Sequence, residues 1–314
     1  MQKHENYLKN EIQGRNFEAF PLPWDLLFGR SAPLSVEIGF GNGQFLHQMA
    51  RQRPHENFVG IELSLESARR LLKLSAEKGR SNIRTLRENA GFALRELFAP
   101  ASLRRVIMNF PDPWPKERHQ KRRLISPQFV QTLSAVLEKE GCYELVTDQF
   151  RYAEEAFALF SASGLFRVDP IETNPERPVQ TKYEKKWREM KRDTYRLLAF
   201  REKAAPVKRL LEDVKMPHVW IENECSPENV KNLVNREHRE ENCLFVIKSV
   251  YASLERPGYL LRVISNDLDF TQKFYVMLVK EESRWLVKLD ATQQPYRTPA
   301  VKLAVWKIGE WLRK

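Results

Sequence analysis

From Leu34 onward the chain repeats one pattern: a short apolar run, a polar turn, then a longer stretch with apolar residues at helical spacing. LSVEIG, NFVGIE, IRTLRE, RRVIMNF and CYELVTD read as strands. The second intervening segment shows the helical spacing well, because Ala68, Leu71, Leu72 and Ser75 recur at intervals of three and four behind Ser64, a suitable N-cap. Strands that alternate with helices must be joined by crossovers, so the pattern predicts a mostly parallel, Rossmann-like α/β sheet covered by helices on both faces. Ligands on such sheets bind outside the carboxyl ends of the strands, and those ends carry the informative residues.

The first strand runs into Glu37-Ile38-Gly39-Phe40-Gly41-Asn42-Gly43. Glycines at alternate positions allow a tight turn and a close ligand approach, but the spacing is G-x-G-x-G, and the third glycine of a dinucleotide fingerprint would fall at Gln44. Glu37 just before the turn suits a cation rather than a pyrophosphate, which disfavours NAD. Glu62 ends the second strand, where a carboxylate can accept from both ribose hydroxyls. Asn89 ends the third, with an amide that suits an adenine edge. In series, Glu37, Gly39, Gly41, Gly43, Glu62 and Asn89 describe a pocket for an adenosine with a positively charged tail, which is S-adenosyl-L-methionine. No cysteine pair has metal-ligand spacing among Cys142, Cys225 and Cys243, so no metal is expected.

The fourth strand leads into residues 106–123, VIMNFPDPWPKERHQKRR. Prolines at 111, 113 and 115 stiffen this loop, which presents Asp112 and Trp114 ahead of a cationic run. Trp114 either stacks on a base or anchors the loop, and His119 meets phosphate or solvent. The fifth strand ends at Asp148. Further on, Thr181-Lys182-Tyr183-Glu184 opens a basic helix; Thr181 and Glu184 fit a capping box, or reach a pocket rim if the loop folds over it.

Charge locates the partner. The formal net charge of +11 is concentrated in two windows, +5 over residues 104–123 and +6 over residues 177–203, and such patches suit a polyanion. The start, MQKHENYLKNE, lacks the apolar core of a signal peptide, and no apolar run approaches a membrane span, so a soluble cytoplasmic protein is expected.

EIGFGNG, GIE, NFPDPWPKERHQKRR, the Thr147-Asp148 pair and TKYE together resemble the bacterial tRNA (guanine-N7-)-methyltransferase family over residues 34–202. The long proline-and-basic signature followed by TKYE is highly specific, whereas the glycine turn is not. The resemblance implies a class I S-adenosylmethionine-dependent methyltransferase fold and methylation of a guanosine in the tRNA variable loop. By motif position, Glu37, Glu62, Asn89 and Asp112 would line the cofactor side. Lys116, Asp148, Thr181, Lys182, Tyr183 and Glu184 would contact tRNA, with Asp112 the catalytic residue. The family often has aspartate where Asn89 stands. An enzyme acting on another RNA, or an RNA-binding protein without activity, remain the competing readings.

At 314 residues the chain is long for one core. Residues 1–33 read as a lead-in that packs Trp24, Leu26, Leu27 and Phe28 on the first domain, and residues 34–204 as the methyltransferase domain. Residues 205–314 read as an α+β domain: a helix over 227–241, four strands, and a last helix with Val301, Ala304, Val305, Ile308, Trp311 and Leu312 on one face. Its net charge is only +3. An extra tRNA grip, a stabilising appendage and a dimer contact are all open to it, and the sequence is compatible with a monomer or a homodimer.

Overall fold

The computed structural model describes residues 7–112, 123–213 and 215–313. The chain divides into two compact units, one of Met1–Gly14 with Phe20–Lys208, the other of Arg15–Ala19 with Arg209–Lys314.

The first unit is built on β1 (Glu11–Ile12), α1 (Trp24–Phe28), β2 (Leu34–Ile38), α2 (Gln44–Gln52), β3 (Asn57–Ile61), α3 (Leu65–Glu77), β4 (Ile83–Leu86), α4 (Ala90–Leu97), β5 (Leu103–Asn109), α5 (Pro127–Val136), β6 (Leu137–Thr147), α6 (Phe150–Ser163), β7 (Phe166–Val168), β8 (Glu172–Thr173), α7 (Lys182–Glu189) and β9 (Tyr195–Arg201). The sheet order is β1-β4-β3-β2-β5-β6-β9-β7, with β8 also paired to β9. Pairing is parallel from β1 to β6 and antiparallel wherever β9 takes part. Every residue of β2 and β3 is buried, as expected of strands covered on both faces.

The chain steps outward from β2 through β3 to β4, then returns to the other side of β2 for β5 and β6. Right-handed crossovers on the two halves put their helices on opposite faces and leave a crevice at the switch point between β2 and β5. Ser64 caps α3 by accepting the Ser67 N–H, as the spacing predicts.

One expectation for this unit needs correcting, and one strand lies where the sequence reading placed none. Leu26 is 80% exposed, so the lead-in packs through Trp24 and Phe28 instead, with Trp24 stacked on Phe98 at 4.9 Å and its indole N–H given to the Leu97 carbonyl. Residues 195–201 form a strand, β9, inserted between β6 and β7. Its inward residues are only Leu197 and Ala199, and its arginines continue the charge of the preceding helix, so local pattern hid it.

The second unit holds β10 (Val219–Ile221), α8 (Pro227–Lys231), β11 (Glu237–Glu240), β12 (Cys243–Ala252), β13 (Gly258–Asp267), β14 (Phe270–Glu281), β15 (Arg284–Leu289) and α9 (Pro299–Arg313). They form an antiparallel sheet in the order β10-β15-β14-β13-β12-β11. The helix expected over residues 227–241 stops at Lys231; Asn235 takes a left-handed φ of +64° and the chain turns into β11 against β12. Val301, Ala304, Val305, Ile308 and Leu312 of α9 pack with Phe245, Val263, Phe274 and Val287 in one core. Asp267, fully buried, accepts from Thr298 Oγ1 at 2.6 Å and from the Ala300 N–H at 2.8 Å, so it satisfies the first turn of α9. Among the described residues no helix is long and apolar enough to cross a membrane.

Candidate functional site

Sheet pairing brings the expected donor residues together. β2, β3 and β4 lie side by side in parallel, so Glu37, Glu62 and Asn89 stand along one carboxyl edge. β5 flanks β2 on its other side with Ile38 opposite Met108, so the Asn109-Phe110-Pro111-Asp112 stem leaves the sheet next to the glycine turn. Asp148 follows β6, the next strand along.

The glycine turn is fastened to its neighbour strand. Gly39 donates to the Ile61 carbonyl at 2.8 Å, and Gly41, at φ +52°, donates to Glu62 Oε2 at 3.3 Å. Glu62 Oε1 also accepts from the Leu63 and Ser64 amides at 2.8 and 3.1 Å, so three backbone donors fix a half-buried carboxylate at the strand end. Gly43 has φ +72°, and a Cβ there would stand 2.7 Å from the Leu71 Cβ. Gly43→Ala is therefore expected to cost about 2–4 kcal/mol through left-handed strain and overpacking, read as a lower thermal midpoint together with weaker donor binding. Asn89 caps α4, its Oδ1 accepting from the Phe92 N–H at 2.9 Å, and the donor it still offers a ligand is Nδ2.

Glu37 is the electrostatic centre. It is 2% exposed; Oε1 accepts from Asn109 Nδ2 at 3.0 Å, and Oε2 is buried without a hydrogen-bond partner among the described residues. Burial pushes its carboxyl up to about 7; the Asn109 hydrogen bond, the Arg177 charge and the Leu46 backbone N–H in the first turn of α2 oppose this, and the Glu62 charge adds to it. A buried carboxylate at the base of the glycine turn is a fitting seat for an ammonium group. A cation bound there favours the ionised form, so below pH 7 binding must expel a proton. Affinity for a cationic donor is expected to rise about tenfold per pH unit toward pH 7 and to level off above it, which calorimetry across pH 5.5–8.5 would measure.

The quartet of residues 181–184 is divided between the protein interior and the surface. Thr181 and Glu184 do form the capping box: Thr181 Oγ1 accepts from the Glu184 N–H at 3.1 Å, and a Glu184 oxygen accepts from the Thr181 N–H at 2.6 Å. Glu184 is only 6% exposed, so its carboxylate faces the protein interior; Lys182 is exposed, and Tyr183, 56% exposed, sets its ring 5.8 Å from that of Phe110. Asp112 is exposed, and Asp148 is half-buried, accepting from Gln149 Nε2 at 3.2 Å. Trp114, Lys116 and His119 lie outside the described residues.

Sequence reasoning missed Arg177. This buried side chain forms an ion pair with Glu144, Nε to Oε1 at 3.0 Å, and donates from Nη1 to Glu184 at 3.1 Å and to Asn109 Oδ1 at 3.0 Å, with its guanidinium 4.7 Å from the Phe45 ring centre. It joins β5, β6 and α7. The available signal was Glu144, an acid inside the apolar run CYELV: a charge in a doubly covered strand requires a buried partner. Among the described residues no group of three or more His, Cys, Asp or Glu is placed to hold a metal ion.

Residues 31–197 match the family described as "Putative methyltransferase". The chain is 43% identical over 305 residues to a tRNA (guanine-N(7)-)-methyltransferase of Thermotoga maritima, covering 96% of both chains. A protein of the same name from Coprothermobacter proteolyticus is 29% identical over 303 residues, 95% of this chain and 92% of that one. One from Thermus thermophilus is 42% identical over 182 residues, 57% of this chain. The first two alignments run through the second unit; the third, at 182 residues, is shorter than the first unit alone. With a glycine turn locked to Glu62, a buried acid one strand from Asp112, and this likeness over nearly its whole length, the chain belongs to the tRNA (guanine-N(7)-)-methyltransferase family.

Proposed function

We propose that the protein transfers a methyl group from S-adenosyl-L-methionine to N7 of a guanosine in the variable loop of tRNA. The donor supplies an electrophilic sulfonium methyl. Glu37 seats its ammonium group, Glu62 receives its ribose hydroxyls, and Asn89 offers Nδ2 to its base, while Gly39 and Gly41 leave the edge above the turn open: a Cβ built on either meets nothing within 4 Å. Guanine N7 carries a free lone pair and needs no prior deprotonation, so the protein's task is to position the two reactants and to favour positive charge growing on the purine. Asp112, an exposed acid on the stem beside the glycine turn, suits that role by hydrogen-bonding the guanine N1–H and amino group. Lys116, Asp148, Lys182 and Tyr183 would meet the tRNA around it, on a surface whose basic windows suit the phosphate backbone.

The observation that carries this reading is the buried Glu37 carboxylate at the base of the glycine turn, on the strand next to the Asp112 stem. The test is incubation with unmodified tRNA and methyl-labelled donor, then nucleoside mapping. Label in 7-methylguanosine of the variable loop is expected. Label in another nucleoside, or none, would overturn the reading.

A further inference from the structure

The polar chain that begins at Glu37 continues beyond the donor side. Glu37 accepts from Asn109 Nδ2, Asn109 Oδ1 accepts from Arg177, and Arg177 donates to Glu184, which closes the turn with Thr181. Three hydrogen bonds therefore separate the donor-binding acid from the carboxylate that shapes the Thr181–Glu184 turn. An apolar contact runs beside them, Tyr183 against Phe110. Phe110 is itself pinned, its N–H donating to the Val146 carbonyl at 2.7 Å with φ at +49°. Asn109 and Phe110 directly precede Pro111-Asp112, so both contacts fix the stem that carries Asp112.

Asn109 spends one amide atom on Glu37 and the other on Arg177, so the two ends of the chain meet in a single side chain.

Resting on the function proposed above, we infer that Arg177 is a positioning residue that couples the two substrates, so that donor and tRNA each bind more tightly in the presence of the other. The mechanism is local. A cation at Glu37 keeps that carboxyl ionised, and an ionised acceptor holds Asn109 more strongly than a neutral acid does. The polarised amide then accepts more strongly from Arg177, which steadies the Glu184 end of the turn and, through Tyr183 and Phe110, the Asp112 stem. By thermodynamic reciprocity, tRNA that orders the turn must favour the donor by the same factor.

The test measures tRNA affinity by filter binding with and without saturating S-adenosyl-L-homocysteine, which keeps the ammonium and transfers no methyl. Wild type is expected to bind tRNA about five- to tenfold more tightly with the analogue, and the analogue more tightly by the same factor with tRNA. In Arg177→Lys, which cannot reproduce the guanidinium fork, and in Asn109→Ala, which leaves Arg177 between its two glutamates, both ligands still bind and the factor falls to about one. A role confined to stability would instead weaken each ligand alone and leave the factor unchanged. A wild-type factor of one, or variants that keep the wild-type factor, would overturn the proposal. If Arg177→Lys does not fold, Asn109→Ala decides the matter. Failure of the functional reading is seen separately, as absence of 7-methylguanosine in the labelling assay.

Discussion

Asp112→Ala is expected to lower the rate of methyl transfer by about a hundredfold or more, the scale on which loss of one group that orients or stabilises a reacting centre is felt. Binding should hardly change. Asp112 is exposed, so its removal leaves no buried partner unsatisfied, and the stem before it is held by Phe110 and Asn109 rather than by the aspartate. Single-turnover rates at saturating tRNA, with tRNA affinity measured in parallel, separate the two effects. Asp112→Asn sharpens the result: the amide keeps the size but loses the charge, so a rate near that of alanine assigns the effect to the negative charge beside a purine becoming cationic. Near-normal turnover in both variants would remove Asp112 from the chemistry.

Arg177→Met is expected to be the most damaging single change to the fold of the first unit. It leaves Glu184 buried with no cation and Glu144 with only the 3.8 Å contact to Arg105, and breaking a buried ion pair by removing one partner costs about 3–5 kcal/mol. That is a large share of the stability of an ordinary domain, and the unfolding transition of this unit should fall by about 10 °C or more. Changing Glu144 and Glu184 to glutamine in the same chain should recover part of the loss, because a neutral amide is far cheaper to bury than an unpaired carboxylate. If the single and triple variants melt alike, the ion pairs are not the source of the loss.

The parallel half of the sheet was legible because strands covered on both faces read as unbroken apolar runs. Glu62 and Asn89 stood out as polar residues closing those runs, and Glu37 as an acid inside the first of them. Thr181 and Glu184 were legible as a capping box from spacing alone, since that device is local. What escaped was non-local. Arg177 means little until Asn109, 68 positions away, and Glu144 are brought to it by strand pairing. The inner role of Glu184 depends on Arg177 and was hidden for the same reason. β9 has too few inward residues to show a period, and the helix foreseen over residues 227–241 failed because Asn235 adopts a left-handed backbone that side-chain periodicity does not reveal.

The excursion between β8 and β9 is stitched shut at its neck. Asn174 and Thr194 exchange two hydrogen bonds there, Asn174 N–H to the Thr194 carbonyl at 2.7 Å and Thr194 N–H to Asn174 Oδ1 at 3.0 Å, and Asn174 Nδ2 adds a third to Asp193 at 2.7 Å. Both flanking strands pair with each other, so the lasso leaves and re-enters the sheet at one point. Its exposed side is expected to tolerate exchange for another sequence, as a cassette, provided that the Asn174 knot, Arg177, the buried Val179 and the Thr181–Glu184 turn are kept. Retargeting the enzyme toward a differently shaped RNA would begin with the outward residues of that cassette.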